Sequence, residues 1–344
     1  MTTFTQYLAT ILAFGAMIFF HELGHFLAAR RAGVLVHAFA VGFGPKIIGW
    51  RRGPTTYSIN VLPFGGFVRM EGEDNDPSVS EGSLRAKSAG ARAGIIAAGP
   101  FMNLVLAVVI LAIAAATGGV PTAASQRVGN VEPGWPAADA GLRPGDQIVS
   151  IDGVAMTSGD QVVEKIHGSA GKPLAIVVRR GTEEFAVTIT PRLDRDRNVG
   201  RIGFSPEPQW TRQDPIRAVT WGVRRTGEFI VLLFGAIGGL IRQGTFFENL
   251  GGPLAAGNML RQAAATGAQA FLNMTAFLSV MIGVFNLLPI PALDGGRLAF
   301  ILVEIVRRRP VDPRREGWVH MVGFALLLLL LFVLTAKDIR VLRQ

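Results

Sequence analysis

Long apolar runs broken by clusters of charge divide this chain. An ionised side chain in hydrocarbon costs several kcal/mol and about 20 apolar residues cross a bilayer core, so uncharged runs locate membrane spans. Four runs qualify: Met1 to Phe20, continuing apolar toward Ala29; Ala93 to Gln126; Gln262 to Leu293; and Gly317 to Ala336, where His320 is the one titratable group. A fifth, Phe229–Ile241, has only 13 residues between Glu228 and Arg242, which predicts an interfacial amphipathic or re-entrant helix. Two polar regions lie between the runs. From Val34 to Met70, β-branched and aromatic residues alternate with Gly44-Pro45, Gly53-Pro54 and Phe64-Gly65-Gly66, predicting short strands, and an acidic loop follows from Glu71 to Glu81. Residues from about 120 to 210 predict a compact α+β domain: a turn at Leu142–Asp146, a strand at Gln147–Ile151, a helix at Asp160–His167, and a hairpin around Arg180-Gly181-Thr182.

Charge sets the direction of the spans. With 49% hydrophobic and 17% charged residues the chain is no ordinary soluble globule, and its net +9 belongs on one side of a bilayer rather than on nucleic acid. No Lys or Arg precedes Arg30, whereas Arg30, Arg31, Lys46, Arg51 and Arg52 follow the first run, so residue 1 is expected outside and residue 30 inside. If Phe229–Ile241 does not cross, the third run returns inward and places Arg307, Arg308, Arg309, Arg314 and Arg315 in the cytoplasm, as the rule requires. Four spans are therefore expected, with both termini outside; Lys337, Arg340 and Arg343 count mildly against the outer tail. The first run lacks the basic start of a cleaved signal peptide and ends in His and Glu. The sequence has no cysteine, which removes disulfides, thiolate metal sites and thiol nucleophiles, so any metal must use His, Asp or Glu.

The first run ends in His21-Glu22-Leu23-Gly24-His25. On a helix, residues four apart share a face, so both imidazoles can hold one Zn²⁺ while Glu22 serves as general base. Ionisable groups at the end of an apolar span are expensive unless paired or metal-bound. A catalytic zinc needs a third protein ligand. His37, His167 and His320 sit in no partner motif, and Glu71, Glu73 or Glu81 would have to reach in from a loop. The better candidate is Asp294, the first charge after a 32-residue uncharged run. Pro289 and Pro291 interrupt the helix before it, Gly295 and Gly296 let the backbone turn, and freed backbone groups at membrane depth imply a water-lined cavity. Four spans bring His21, His25 and Asp294 into one leaflet; five would separate them by ~30 Å.

These residues resemble the site-2 protease family of intramembrane zinc metalloproteases, in its bacterial regulator-of-sigma-E branch. The resemblance rests on His21–His25, on Asn286-x-x-Pro289-x-Pro291-x-Leu293-Asp294-Gly295, on Phe64–Met70, which is similar to the family's membrane-associated β-segment, and on Ala98-Gly99-Pro100-Phe101-Met102-Asn103. Val131 to Asp146 with Gln147–Gly153 is similar to the bacterial PDZ pattern; the chain has room for one such domain where well-known members carry two. The resemblance implies one Zn²⁺ on His21, His25 and Asp294, with Glu22 as catalytic base. It places Asn286, Pro289 and Pro291 where the family holds its substrate. Gly65, Gly66 and Phe67 belong to a segment that could pair with an unwound substrate by β-augmentation. Gly99, Pro100 and Asn103 are read as helix-packing residues.

The expected architecture is a multi-span α-helical membrane protein: span 1 over 1–30, a cytoplasmic-side β-segment and loop over 31–92, span 2 over 93–117, a PDZ-like domain over 118–210, and an interfacial or re-entrant segment over 211–262. Span 3 covers 263–296, a cytoplasmic basic loop 297–316, span 4 317–337 and a tail 338–344. The resemblance further implies a bacterial inner-membrane enzyme, its PDZ-like domain periplasmic and its site near the cytoplasmic leaflet. It would cleave single-span membrane proteins of the anti-sigma factor or remnant signal peptide type after a first-site protease has trimmed them. Two other readings stay open: a non-catalytic PDZ-containing membrane adaptor, for which Glu22 would be dispensable, and a membrane-anchored zinc protease with a cytosolic site and a Glu as third ligand.

Overall fold

The computed structural model describes residues 2–73, 80–194, 198–245, 250–309 and 311–342; the middle of the acidic loop expected at Glu71–Glu81 and tail residue Arg343 lie outside the described residues. The chain forms two compact units, Met1–Ala114 with Pro215–Gln344, and Ala115–Asp214.

In the first unit, helix α1 (Thr3–Arg31) starts at Thr2, whose side chain accepts a hydrogen bond from the Thr5 N–H. It stops where Gly33 turns to φ 69°, a left-handed conformation that glycine takes without steric cost. Strands β1 (Val36–Arg52) and β2 (Thr55–Met70) then pair antiparallel and both bend. As a result Ala38 and Ala40 face Thr56 and Ser58 on one side and Arg69 and Phe67 on the other. Among the described residues the 66–70 segment thus pairs with β1 alone, as an edge, with the Met70 N–H taken up by Glu73 Oε2 at 3.2 Å.

Helix α2 (Ala89–Thr117) leads into the second unit, and α5 (Pro215–Arg242), α6 (Pro253–Thr266), α7 (Ala268–Asn286), α8 (Asp294–Arg307) and α9 (Pro313–Leu342) return to the first. Among the described residues, α1, α2, α7 and α9 are the four helices long and apolar enough to cross a membrane. Three of them pack through two apolar clusters: Ala13, Met17, Leu106, Leu260 and Leu278 join α1, α2, α6 and α7, while Leu111, Phe229, Leu233 and Val280 join α2, α5 and α7.

Three segments differ from the sequence reading. Residues 215–242 make one unbroken 28-residue helix with no re-entrant turn; it packs closely on α2, where a Cβ at Gly222 would come within 2.7 Å of Val108 O. The third apolar run yields a helix only from Ala268 to Asn286, because Gly267 (φ 145°) separates it from α6 and Pro289 and Pro291 stop its continuation. Residues 297–307 are the body of α8, not a loop; Leu298, Ile301 and Glu304 recur at helical spacing within the arginine-rich sequence.

The second unit is a sheet of order β10-β3-β4-β6-β7, from β3 (Val120–Val131), β4 (Gln147–Ile151), β6 (Leu174–Arg180), β7 (Glu183–Ile189) and β10 (Phe204–Thr211), with β5 (Val154–Ala155) paired to β4, a separate pair of β8 (Arg192–Asp194) and β9 (Val199–Arg201), and a short helix α3 (Pro136–Asp139). Helix α4 (Gly159–His167) buries Val162 and Ile166 against a core of Ile148, Ile151, Ile176 and Val178. The turn before β4 is fixed by Asp146, 1% exposed, whose carboxylate accepts from Arg180 Nε and Nη2 at 2.7 and 2.8 Å and from the Arg143 N–H at 2.8 Å. The Arg180 hydrogen bonds hold this carboxyl below the usual aspartate range, against the opposing effect of burial.

Candidate metal centre

Helix spacing puts His21 and His25 on one face of α1, and their rings meet edge to face with centroids 4.8 Å apart. Their Nε2 atoms are 3.2 Å apart. Asp294, the first residue of α8, brings Oδ2 to 3.1 Å from His21 Nε2 and 3.4 Å from His25 Nε2. That oxygen is buried and makes no hydrogen bond of acceptable geometry, although both nitrogens are close. In a tetrahedral zinc site with ligand distances near 2.1 Å, neighbouring donor atoms stand about 3.4 Å apart. All three separations lie near that value, and two imidazoles with one carboxylate are a donor set that zinc accepts. Among the described residues this is the one cluster of three or more such side chains able to hold a metal ion.

Each donor is held from behind. The Ile95 carbonyl on α2 lies 2.9 Å from His25 Nδ1; a carbonyl only accepts, so the proton sits on Nδ1 and the lone pair of Nε2 faces the centre. Close approach of the two helices makes that bond possible. A Cβ at Gly24 would fall 2.2 Å from Ala98 O, and one at Gly99 would fall 2.2 Å from His25 Nε2. His21 Nδ1 faces the side-chain amide of Asn103, fully buried on α2, at 3.3 Å. Asp294 is positioned by the loop before it. There Ala292 adopts φ 77° and donates its N–H to His320 Nδ1 at 3.0 Å, while a Cβ at Gly295 would meet Leu288 O at 2.1 Å.

Glu22 follows His21 on α1 and approaches the β-segment. A Cβ at Gly66 would come within 3.0 Å of Glu22 Cγ, so the edge segment of β2 runs directly past the carboxylate's stem. Gly65 (φ 92°) leaves room for the Phe43 ring, which stacks with Phe67 at 6.4 Å. Of the expected substrate residues, Gly66 is therefore brought to the centre. Asn286 instead donates to Ile282 O of its own helix at 2.9 Å, Pro291 packs on α9 at Gly323, and Pro289 is exposed. Glu71 reaches His37 at 3.6 Å, and Glu73 pairs with Arg297 of α8. Neither belongs to the three-donor cluster.

Asn103 and His320 escaped the sequence reading in their positioning roles. The available signal was their isolation: each is a polar side chain inside an uncharged stretch of its helix, 93–117 for Asn103 and 317–336 for His320, where it needs a partner.

The model of peptidase family M50 matches residues 9–330 of this chain. The chain is 32% identical to the regulator of sigma-W protease RasP of Bacillus subtilis, over 97% of this chain and 98% of the relative. It is 31% identical to the zinc metalloprotease RasP of Geobacillus kaustophilus, over 98% of both chains. Among solved structures, the PDZ domain of an SdrC-like protein from Listeria monocytogenes matches 25% of this chain and 90% of that domain, with 30% identity and a TM-score of 0.22. The four apolar helices are long and apolar enough to cross a membrane and support a membrane-embedded protein. By the family match over most of its length and its near-full-length kinship with these proteases, the chain belongs to peptidase family M50, the site-2 protease family, and is a zinc metalloprotease.

Proposed function

We propose that His21, His25 and Asp294 hold one zinc ion, that Glu22 is the general base, and that the protein hydrolyses peptide bonds inside the transmembrane segments of single-span membrane proteins. The observation that carries this reading is the convergence of two Nε2 atoms and one carboxylate oxygen, from helices far apart in sequence, at the separations of a tetrahedral zinc site. When bound, zinc supplies Lewis acidity that polarises the scissile carbonyl and eases deprotonation of a neighbouring water. Glu22 takes that proton and returns it to the leaving amine. An intact helix shields its carbonyls, so the substrate segment must unwind first. The one-sided pairing of residues 66–70, with Gly66 against Glu22, supports an edge on which an extended substrate is held by backbone hydrogen bonds. Gly65, Gly66 and Phe67 then bind substrate directly, while Asn286, Pro289 and Pro291 shape the chain that leads to Asp294.

The Bacillus subtilis relative is named for regulation of sigma-W, which supports membrane-anchored anti-sigma factors as one substrate class; remnant signal peptides are proposed beside them as single-span segments of the same kind. In this reading the Ala115–Asp214 unit is a PDZ-like domain on the periplasmic side of a bacterial inner membrane. It admits substrates already trimmed by a first-site protease, and the metal centre lies near the cytoplasmic leaflet. Its strand order and the Val131–Gly153 sequence pattern support the PDZ assignment.

Detergent-purified protein and its Glu22→Gln variant, offered a tagged single-span substrate with a shortened ectodomain, test the reading. Chelator-sensitive cleavage by wild type alone, with zinc bound to both proteins, is expected. Cleavage that survives in Glu22→Gln would remove Glu22 from the mechanism, and zinc retention by Asp294→Ala would overturn the ligand set.

A further inference from the structure

Asn103 is 0% exposed in an apolar helix, and one end of its amide meets His21 Nδ1 at 3.3 Å. The other end, Oδ1, is buried with no hydrogen-bond partner. Its backbone is locked as well: Ser279 Oγ donates to Asn103 O at 2.8 Å, and a Cβ at Gly283 would come within 3.3 Å of Asn103 Cβ. A buried amide fixed at its root, with one side-chain hydrogen-bond partner among the described residues, is held to face that partner.

The two ends of an amide are nearly identical in shape, so a half-turn about its last torsion exchanges N for O without moving anything else. The chemistry of His21 chooses between them. If Nδ2 faced the ring it would donate to Nδ1, leaving the ring proton on Nε2, where it blocks metal binding. A histidine that binds metal through Nε2 carries its proton on Nδ1 and needs an acceptor there. His25 satisfies that need with the Ile95 carbonyl, on the same helix that carries Asn103.

We infer that Asn103 turns its carbonyl Oδ1 to His21 Nδ1–H, and is thereby the positioning residue that holds His21 in the metal-binding tautomer. Helix α2 then supplies one acceptor to each histidine, a backbone carbonyl to His25 and a side-chain carbonyl to His21. The inference rests on the proposed ligand set, and the test separates the two.

Zinc affinity is measured by chelator competition on the full chain in detergent, for wild type, Asn103→Leu, Asn103→Asp and Asp294→Ala, with thermal melting of each in excess chelator as the measure of folding. Asn103→Leu keeps the volume and loses the acceptor; it is expected to bind zinc about 10–100-fold more weakly, the usual effect of removing a ligand's outer partner. Asn103→Asp keeps an acceptor and is expected to stay within about threefold of wild type or to bind more tightly. Wild-type affinity in Asn103→Leu, or equal weakening in both variants with unchanged melting, would overturn the inference in favour of packing alone. Undiminished binding by Asp294→Ala would instead overturn the ligand set beneath it. A second readout covers an Asn103→Leu chain that does not fold. In zinc-loaded protein with ¹⁵N-labelled histidine, His21 Nδ1 should be protonated, and its resonance should move in Asn103→Asp, where a charged acceptor draws on that proton. An Nδ1 without a proton, or one indifferent to Asn103→Asp, sinks the idea.

Discussion

Gly99→Ala adds one methyl group to α2, at 2.2 Å from His25 Nε2, 2.6 Å from Cε1 and 2.7 Å from Cδ2. Ordinary contacts between such atoms lie near 3.5 Å, so the ring and the helix must part by roughly 1.3 Å. His25 is 7% exposed and tied through Nδ1 to Ile95 O at 2.9 Å, so the ring cannot swing away without abandoning a buried carbonyl. Parting the helices would instead unpack Gly24 from Ala98. Metal–ligand distances tolerate deviations of about 0.2 Å, several times less than the displacement required. Overpacking costs typically about 1–3 kcal/mol, which lowers the melting temperature without unfolding the protein. Zinc affinity should therefore fall by at least the roughly 10–100-fold seen when ligand support is lost, and cleavage should fall with it. Chelator competition and elemental analysis of the purified variant measure the loss. Gly94→Ala on the same helix is the control, because a Cβ there meets nothing within 4 Å. A Gly99→Ala protein with full zinc occupancy and wild-type affinity would refute the reasoning.

Glu22→Gln keeps the volume and both histidines, so zinc should stay bound while the turnover rate falls by about 10²–10⁴, the usual share of a general base; single-turnover cleavage measures it. Ala292→Gly removes the left-handed strain of a φ of 77°, which costs an L-residue about 1–2 kcal/mol, and should leave the melting temperature unchanged or higher. Ala292→Val should lower both melting temperature and zinc affinity, since that loop positions Asp294. Asp146 titrates below its ordinary value because Arg180 holds it ionised. Its contribution to stability is therefore complete above the unfolded value near 3.9 and is lost as pH falls toward the lower folded value. Acid unfolding of the Ala115–Asp214 unit, followed by hydrogen exchange, should be steeper below about pH 4 in wild type than in Asp146→Asn; identical slopes would remove the pair from the account.

The cluster of His21, His25 and Asp294 was legible because its parts are local or conspicuous. His21 and His25 share a face by spacing alone, and Asp294 ends a long uncharged run. Less legible was everything that depends on how helices cross. Asn103 reads as a packing residue in sequence, since nothing in the spacing of α2 reveals that its amide meets an imidazole on α1. The same holds for His320, whose role exists only because the loop before Asp294 turns Ala292 toward it. Reading spans from uncharged runs also overestimated the third one, as proline and glycine end a helix without introducing charge. Conversely, the arginines near α8 masked an amphipathic helix, because counting charge ignores the apolar face beneath it. The strand-like reading of Val34–Met70 found β1 and β2 but not their bend, which leaves residues 66–70 as an edge beside Glu22.

The three converging donors sit on opposite sides of the inserted Ala115–Asp214 unit in the chain. Both histidines are synthesised before that unit, whereas the carboxylate follows only after it and three further helices. A nascent or prematurely terminated chain thus carries a helix with two imidazoles and nothing to complete them.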